Sequence, residues 1–169
     1  MINIVLYEPE IPQNTGNIMR SCAGTDAKLH LIKPLGFSLE DKYLKRSGVN
    51  YISKCDYTTY DNFDEFLSKN DGEFYFLTRY ATRNYCSFDY SDSNSNIYLI
   101  FGKESTGIPK EILQKYLDRC VRIPTNGNIR ALNLSNCVSI MLFEVLRQQN
   151  FPNLLSYDSF KGENYLKIQ

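Results

Sequence analysis

The 169-residue sequence contains no tryptophan, one histidine and no excess of either charge: 19 Lys plus Arg stand against 19 Asp plus Glu. That balance excludes a histone-like, globally basic nucleic-acid binder, although a local positive face can still pair with phosphates. No apolar run approaches the roughly 18–20 residues that cross a bilayer. Met1 to Tyr7 carries no basic residues ahead of its apolar stretch, so it does not read as a signal peptide. The five cysteines, Cys22, Cys55, Cys86, Cys120 and Cys137, form no CxxC pair. With His30 the sole histidine, a zinc site is poorly supported, and reduced thiols in a cytoplasmic protein are the expectation.

What is present is enough for a core: 43% of residues are apolar and 14% aromatic, which excludes global disorder. Short apolar runs alternate with helical patterns. Strands are predicted at Ile2 to Tyr7, Leu29 to Ile32, Tyr57 to Tyr60, Phe74 to Thr78, Ile97 to Phe101 and Cys120 to Ile123. Helices are predicted after an Asn14 or Thr15 cap, over a basic stretch from Leu39 to Arg46, from Asn62 to Lys69, from Pro109 to about Leu117, and from about Ser135 to Gln149. Tyr80 to Asn96 reads as an exposed polar loop. This alternation predicts one α/β domain with a mostly parallel sheet flanked by helices.

The last helix places Val138, Met141, Leu142 and Val145 on a core-facing stripe, yet Ile140, Phe143 and Leu146 are apolar as well. Such a helix buries two faces. It is either a subunit interface or a central helix surrounded by its own chain. His30, in a strand beside leucines, reads as structural.

Three segments follow strands directly, where open α/β sheets hold ligands. Pro12 to Arg20 places Gly16 in a first helical turn, with amides suited to an anion and Arg20 a turn further on; taken alone, a plain cap with a surface arginine is the favoured reading. Gly102-Lys103-Glu104-Ser105-Thr106-Gly107 is a G-x-E-x-x-G pattern. It is no Walker loop, and Glu104 would repel a pyrophosphate. It suits a cationic ligand or hydroxyl and amine donors, or is a tight turn before a helix. Ile123 to Asn136 sets Leu132 and Leu134 among amide and hydroxyl groups, suited to an adenine ring or simply a long capped connection.

Taken together, Asn14-Thr15-Gly16-Asn17-Ile18-x-Arg20, Gly102-x-Glu104-x-x-Gly107-x-Pro109, and Ile123-Pro124 with Arg130-x-Leu132-Asn133-Leu134-Ser135-Asn136 resemble the three ordered motifs of the SpoU branch of the SPOUT methyltransferases. The opening Ile4-to-Asn17 stretch, His30-Leu31-Ile32-x-Pro34-Leu35-Gly36-Phe37 and Glu144-x-x-Arg147-Gln148 resemble the minimal, one-domain members that methylate the 2′-oxygen of the tRNA wobble nucleotide. The similarity covers about residues 1 to 154, leaving 155 to 169 as a tail.

The resemblance implies a C-terminal trefoil knot, a homodimer with sites completed across the interface, and S-adenosylmethionine as cofactor without a metal. Carried over by position, it implies a cofactor pocket of Leu77, Thr78, Gly102, Glu104, Gly107, Ile123, Ala131, Leu132 and Asn133. The catalytic arrangement it implies is Arg20, Asn14, Glu104 and Ser135. Ala131 stands where relatives often have serine, and Phe143 where some have tyrosine. Free arginine is effectively always protonated, which favours an orienting, charge-stabilising Arg20 over a general base. For the tRNA anticodon loop the sequence offers Lys42, Lys45, Arg46 and Lys54 with Tyr43 and Tyr51 interleaved, or else a solvated helix face. Other readings are 2′-O-methylation of another tRNA or rRNA position, a cofactor-binding knot protein without catalysis, and a small-nucleotide binder.

Overall fold

The computed structural model describes residues 1–40 and 52–167. The predicted basic helix, with Lys42, Lys45 and Arg46, and Tyr43 and Tyr51, falls outside the described residues, apart from its first positions.

Six parallel strands form one sheet: β1 (Ile2–Tyr7), β2 (Lys28–Ile32), β3 (Tyr57–Tyr60), β4 (Glu73–Leu77), β5 (Ile97–Phe101) and β6 (Cys120–Val121). Their order is β3-β2-β1-β5-β4-β6, with β1 in register between β2 and β5. The helices are α1 (Pro12–Ala23), α2 (Phe63–Lys69), α3 (Lys110–Lys115) and α4 (Leu134–Gln148). None of the described helices is long and apolar enough to cross a membrane.

Alternation along β1 explains the layering. Ile2, Ile4 and Leu6 point to the face that Ile18, Met19 and Cys22 of α1 cover together with Val138, Met141, Leu142 and Val145 of α4. Val5 points to the other face, where Phe63 and Phe66 of α2 and Leu113 of α3 pack. The sheet is buried on both sides, as its continuous apolar strands require.

Several expectations are corrected. Asn14 and Thr15 do not cap α1: the helix begins at Pro12, its cap position is Ile11, and both polar residues are buried in the first turn. Leu146 is only 2% exposed and joins the core. The second apolar face of α4 is therefore narrower than expected, with Phe143 at 49% exposure and Ile140 half-buried. The cap of α4 is Asn133, whose side chain accepts from the Ser135 amide.

The stretch from Tyr80 to Asn96 is not a free loop. Tyr90 is buried and donates its hydroxyl to the Tyr85 carbonyl. Gln148 grips the same segment, accepting from the Tyr90 amide at 2.8 Å and donating to the Phe88 carbonyl at 3.1 Å. Beyond Leu154, which packs on the core, residues 155–167 carry neither helix nor strand.

His30 sits between Asn3 and Tyr60. Asn3 donates Nδ2 to the Met1 and Ile97 carbonyls, which turns Oδ1 toward His30 Nε2 at 3.1 Å. His30 therefore carries its proton on Nε2, and Nδ1 accepts from the Tyr60 hydroxyl at 2.9 Å. Burial, helped by Lys28, pushes the imidazole pKa from 6.5 down to about 4. The structural reading of His30 holds.

Candidate active site

The strand order reverses direction at the β1–β5 junction, the position where parallel sheets open a crevice beyond their carboxyl ends. A cavity of about 450 Å³ lies there, walled by the loops after β4, β5 and β6 and by the start of α1. Its size falls within the roughly 300–1,000 Å³ of small-molecule sites.

Glu104 organises the rim. Its Oε2 accepts from the Glu10 amide at 2.9 Å, while Oε1 accepts from the Ile11 amide at 3.3 Å and from Asn14 Nδ2 at 2.9 Å. A carboxylate from the β5 loop thus does the work of the missing side-chain cap of α1, where the helix dipole favours negative charge. The contact is returned: Glu10 accepts from the Ser105 amide and hydroxyl, each at 2.8 Å, which holds its carboxyl below the usual range. Neither an anion at the α1 terminus nor a cation at Glu104 is therefore the arrangement found; the chain pairs these two features with each other.

From Asn14 the network continues into the third loop. Asn133 donates Nδ2 to Asn14 Oδ1 at 2.9 Å, and its own Oδ1 accepts from Ser135 N and Oγ at 2.9 and 2.7 Å. Ser135, Asn133, Asn14 and Glu104 form one continuous chain of hydrogen bonds through all three loops. Thr15 Oγ1, fully buried beside Asn14, has no hydrogen-bond partner among the described residues.

Two glycines shape the β5 loop. A Cβ on Gly102 would collide with the Gly107 and Ile108 backbone. Gly107, at φ +77°, adopts the left-handed region that favours glycine and has open space where a side chain would stand. The Gly107 amide closes the turn on the Lys103 carbonyl at 2.9 Å. Lys103 is itself anchored to Glu8 at 2.6 Å, which raises the ammonium pKa.

Of the residues singled out for a cofactor, Leu77, Thr78, Gly102, Glu104, Gly107, Ala131, Leu132 and Asn133 all line the cavity, as does Asn14. Ile123 lines a smaller neighbouring cavity of about 70 Å³ that shares Leu77, Thr78, Ala131 and Leu132. Ser135 reaches this group only through Asn133. Arg20 is exposed on α1 and does not line the cavity. Lys54 is exposed at the end of a short 3₁₀ turn, Ile52–Lys54.

Sequence reasoning missed Arg79, Tyr80 and Cys137, and gave Arg130 of the third motif no role; all four also line the cavity. The signal for the first two was their place directly after β4; burial pushes the Cys137 thiol up to about 11 and leaves it unreactive.

A parallel sheet with a bounded cavity at its switch point, braced by hydrogen bonds among three loops, defines a ligand-binding α/β protein. The model of the SpoU rRNA Methylase family matches residues 1–143, and the chain belongs to that family. A Listeria monocytogenes relative, provisionally named a tRNA (cytidine(34)-2′-O)-methyltransferase, is 53% identical over 159 residues, covering 94% of each chain. A solved structure described as giving structural insights into the 2-OH methylation of C/U34 on tRNA is 36% identical with a TM-score of 0.83, covering 89% of this chain and 97% of that one. The fold also matches the SpoU methyltransferase AviRb from Streptomyces viridochromogenes in complex with AdoMet, at 20% identity and a TM-score of 0.77, covering 88% of this chain and 57% of that one.

Proposed function

We propose that this protein transfers the methyl group of S-adenosylmethionine to a tRNA ribose 2′-oxygen, at nucleotide 34 of the anticodon, the position named for its relatives. The observation that carries the reading is the chain Ser135–Asn133–Asn14–Glu104, which locks three loops around one cavity.

The cavity fits the cofactor. Leu77, Phe101, Ile108, Leu132 and Leu134 offer apolar walls for an adenine ring, and the open space beside Gly107 leaves its backbone approachable. Bound there, S-adenosylmethionine supplies a sulfonium-activated methyl group. The protein's own task is alignment of the attacking 2′-oxygen, which can lower a barrier by several kcal/mol. Glu104 directs its lone pairs at three N–H donors and so braces the site rather than reaching substrate. Asn14, held from both sides, fixes the start of α1 and with it the direction in which Arg20 leaves the helix. Arg20 orients the substrate ribose and its flanking phosphate through its planar fork.

Because Arg20 lies on the outer side of α1, it serves a cavity across a homodimer interface, to which the exposed Phe143 contributes. The trefoil threading and a cytoplasmic location belong to the same reading. Light scattering should return a dimer, and a monomer overturns that part.

Incubation with methyl-labelled S-adenosylmethionine and total tRNA, followed by nucleoside mapping, tests the function. Label is expected in a 2′-O-methylated cytidine or uridine at position 34. Label elsewhere in tRNA or in rRNA changes the substrate, and absence of cofactor binding overturns the reading.

A further inference from the structure

We propose that Arg79 and Tyr80 form the station for the RNA strand at the cavity mouth: the guanidinium pairs with a backbone phosphate, and the ring stacks on an unpaired base beside the target nucleotide. This rests on the tRNA reading above and specifies where the protein holds that substrate.

The first observation is a large aromatic ring held out in water. Tyr80 is 67% exposed, whereas its neighbour Ala81 is buried at 8%. Frayed backbone does not explain this exposure. The Thr78 amide donates to the Val121 carbonyl, the Arg122 amide to Arg83, and the Tyr85 amide to Arg122, each at 2.9 Å. These bonds tie both flanks of the segment to the strand beside it. The fold holds the ring where it buries little of its own chain.

The second observation is local charge. Arg79 donates Nη2 to the Tyr80 hydroxyl at 2.5 Å, and its guanidinium carbon lies 4.6 Å from the ring centroid. Arg79, Arg122 and Arg130 all line the smaller cavity. Among the described residues, no ion pair neutralises any of the three. In a chain of balanced overall charge, three guanidinium groups without carboxylate partners are gathered at one cavity mouth.

An unneutralised guanidinium beside a fixed aromatic ring matches single-stranded RNA, whose phosphates pair with arginine and whose splayed bases stack on aromatic faces. A small anionic ligand would use the charge but leave the ring exposed. Tyr80 and Arg79 also border Leu77 and Thr78, so a strand held here passes the cavity wall where the reaction is placed.

The test is fluorescence anisotropy with a labelled anticodon stem-loop RNA, with S-adenosylmethionine affinity measured by calorimetry on the same proteins. Tyr80→Ala should weaken RNA binding about tenfold, the effect typical of losing one stacked base, and Tyr80→Phe should restore it. Arg79→Ala should weaken binding and flatten the slope of log affinity against log salt by about 0.7, one phosphate contact on a single strand. RNA affinity and salt slope equal to wild type in both alanine variants overturn the proposal. So does a loss confined to S-adenosylmethionine, which assigns the pair to the cofactor. Failure of the tRNA reading itself shows separately, as wild-type protein that binds the cofactor but not the stem-loop.

Discussion

Asn133 donates to Asn14 across 119 positions of sequence, at 2.9 Å, and through Asn14 the start of the last helix is coupled to the Glu104 carboxylate. Asn14 suits this place because its amide offers both an acceptor and a donor. Asn14→Asp keeps the shape and the acceptor but turns the donor into a carboxylate oxygen facing Glu104. Breaking a hydrogen bond to a charged group costs about 1.5–3 kcal/mol, and like-charge repulsion adds to it. The variant should lose about tenfold or more in cofactor affinity, measured by calorimetry. Wild-type affinity would show that the network does not shape the cavity.

Gly102→Ala tests the same cavity sterically. The added methyl meets the Gly107 and Ile108 backbone, not a side chain able to rotate away, so the turn closed by Gly107 on Lys103 must open. Overpacking of this kind costs about 1–3 kcal/mol. The expected outcome is a lower melting temperature together with at least about tenfold weaker cofactor binding. A loss of thermal stability with unchanged binding would place the β5 loop outside the ligand site.

The strands and glycine loops were legible because each is local: apolar runs mark a sheet buried on both faces, and Gly102 and Gly107 mark a turn, the first by close backbone approach and the second by its left-handed φ. Glu104 was recognisable by position but not by task, since its partners Glu10, Ile11 and Asn14 lie 90 to 94 residues upstream. For the same reason α1 starts earlier than its polar residues suggest: its cap comes from another loop. The 80–96 stretch misled through composition. Its Ser, Asp and Asn residues are exposed, but Tyr90, Gln148 at the end of α4 and Gln149 just after it hold it down, and Arg79 and Tyr80 went unread at its beginning.

His30 should make the fold acid-sensitive. Folding lowers its pKa from 6.5 to about 4. Between those values the unfolded chain binds a proton that the folded chain refuses. The associated stability is complete above about pH 6.5 and is lost as pH falls toward 4. The loss amounts to about 2 kcal/mol by pH 5 and at most about 3 kcal/mol below pH 4. Urea unfolding at pH 7 and pH 5 measures it. His30→Gln should shrink the difference between the two pH values whatever it does to stability at pH 7, and an undiminished difference would assign the acid sensitivity to other groups.

Arg20 carries the sharpest prediction about the reaction. It leaves the exposed side of α1, six positions after the buried Asn14 that anchors the helix start. Its role depends on a planar fork that engages two oxygens at once, a geometry a lysine ammonium does not reproduce. Arg20→Lys should therefore leave cofactor affinity near wild type, because Arg20 does not line the cavity, while methyl transfer slows by about tenfold to a hundredfold, the equivalent of about 1.4–2.7 kcal/mol in the barrier. The informative measurement is single-turnover transfer to tRNA beside calorimetric cofactor binding. Transfer at the wild-type rate would remove Arg20 from the mechanism, and a parallel loss of cofactor affinity would make it part of the pocket instead.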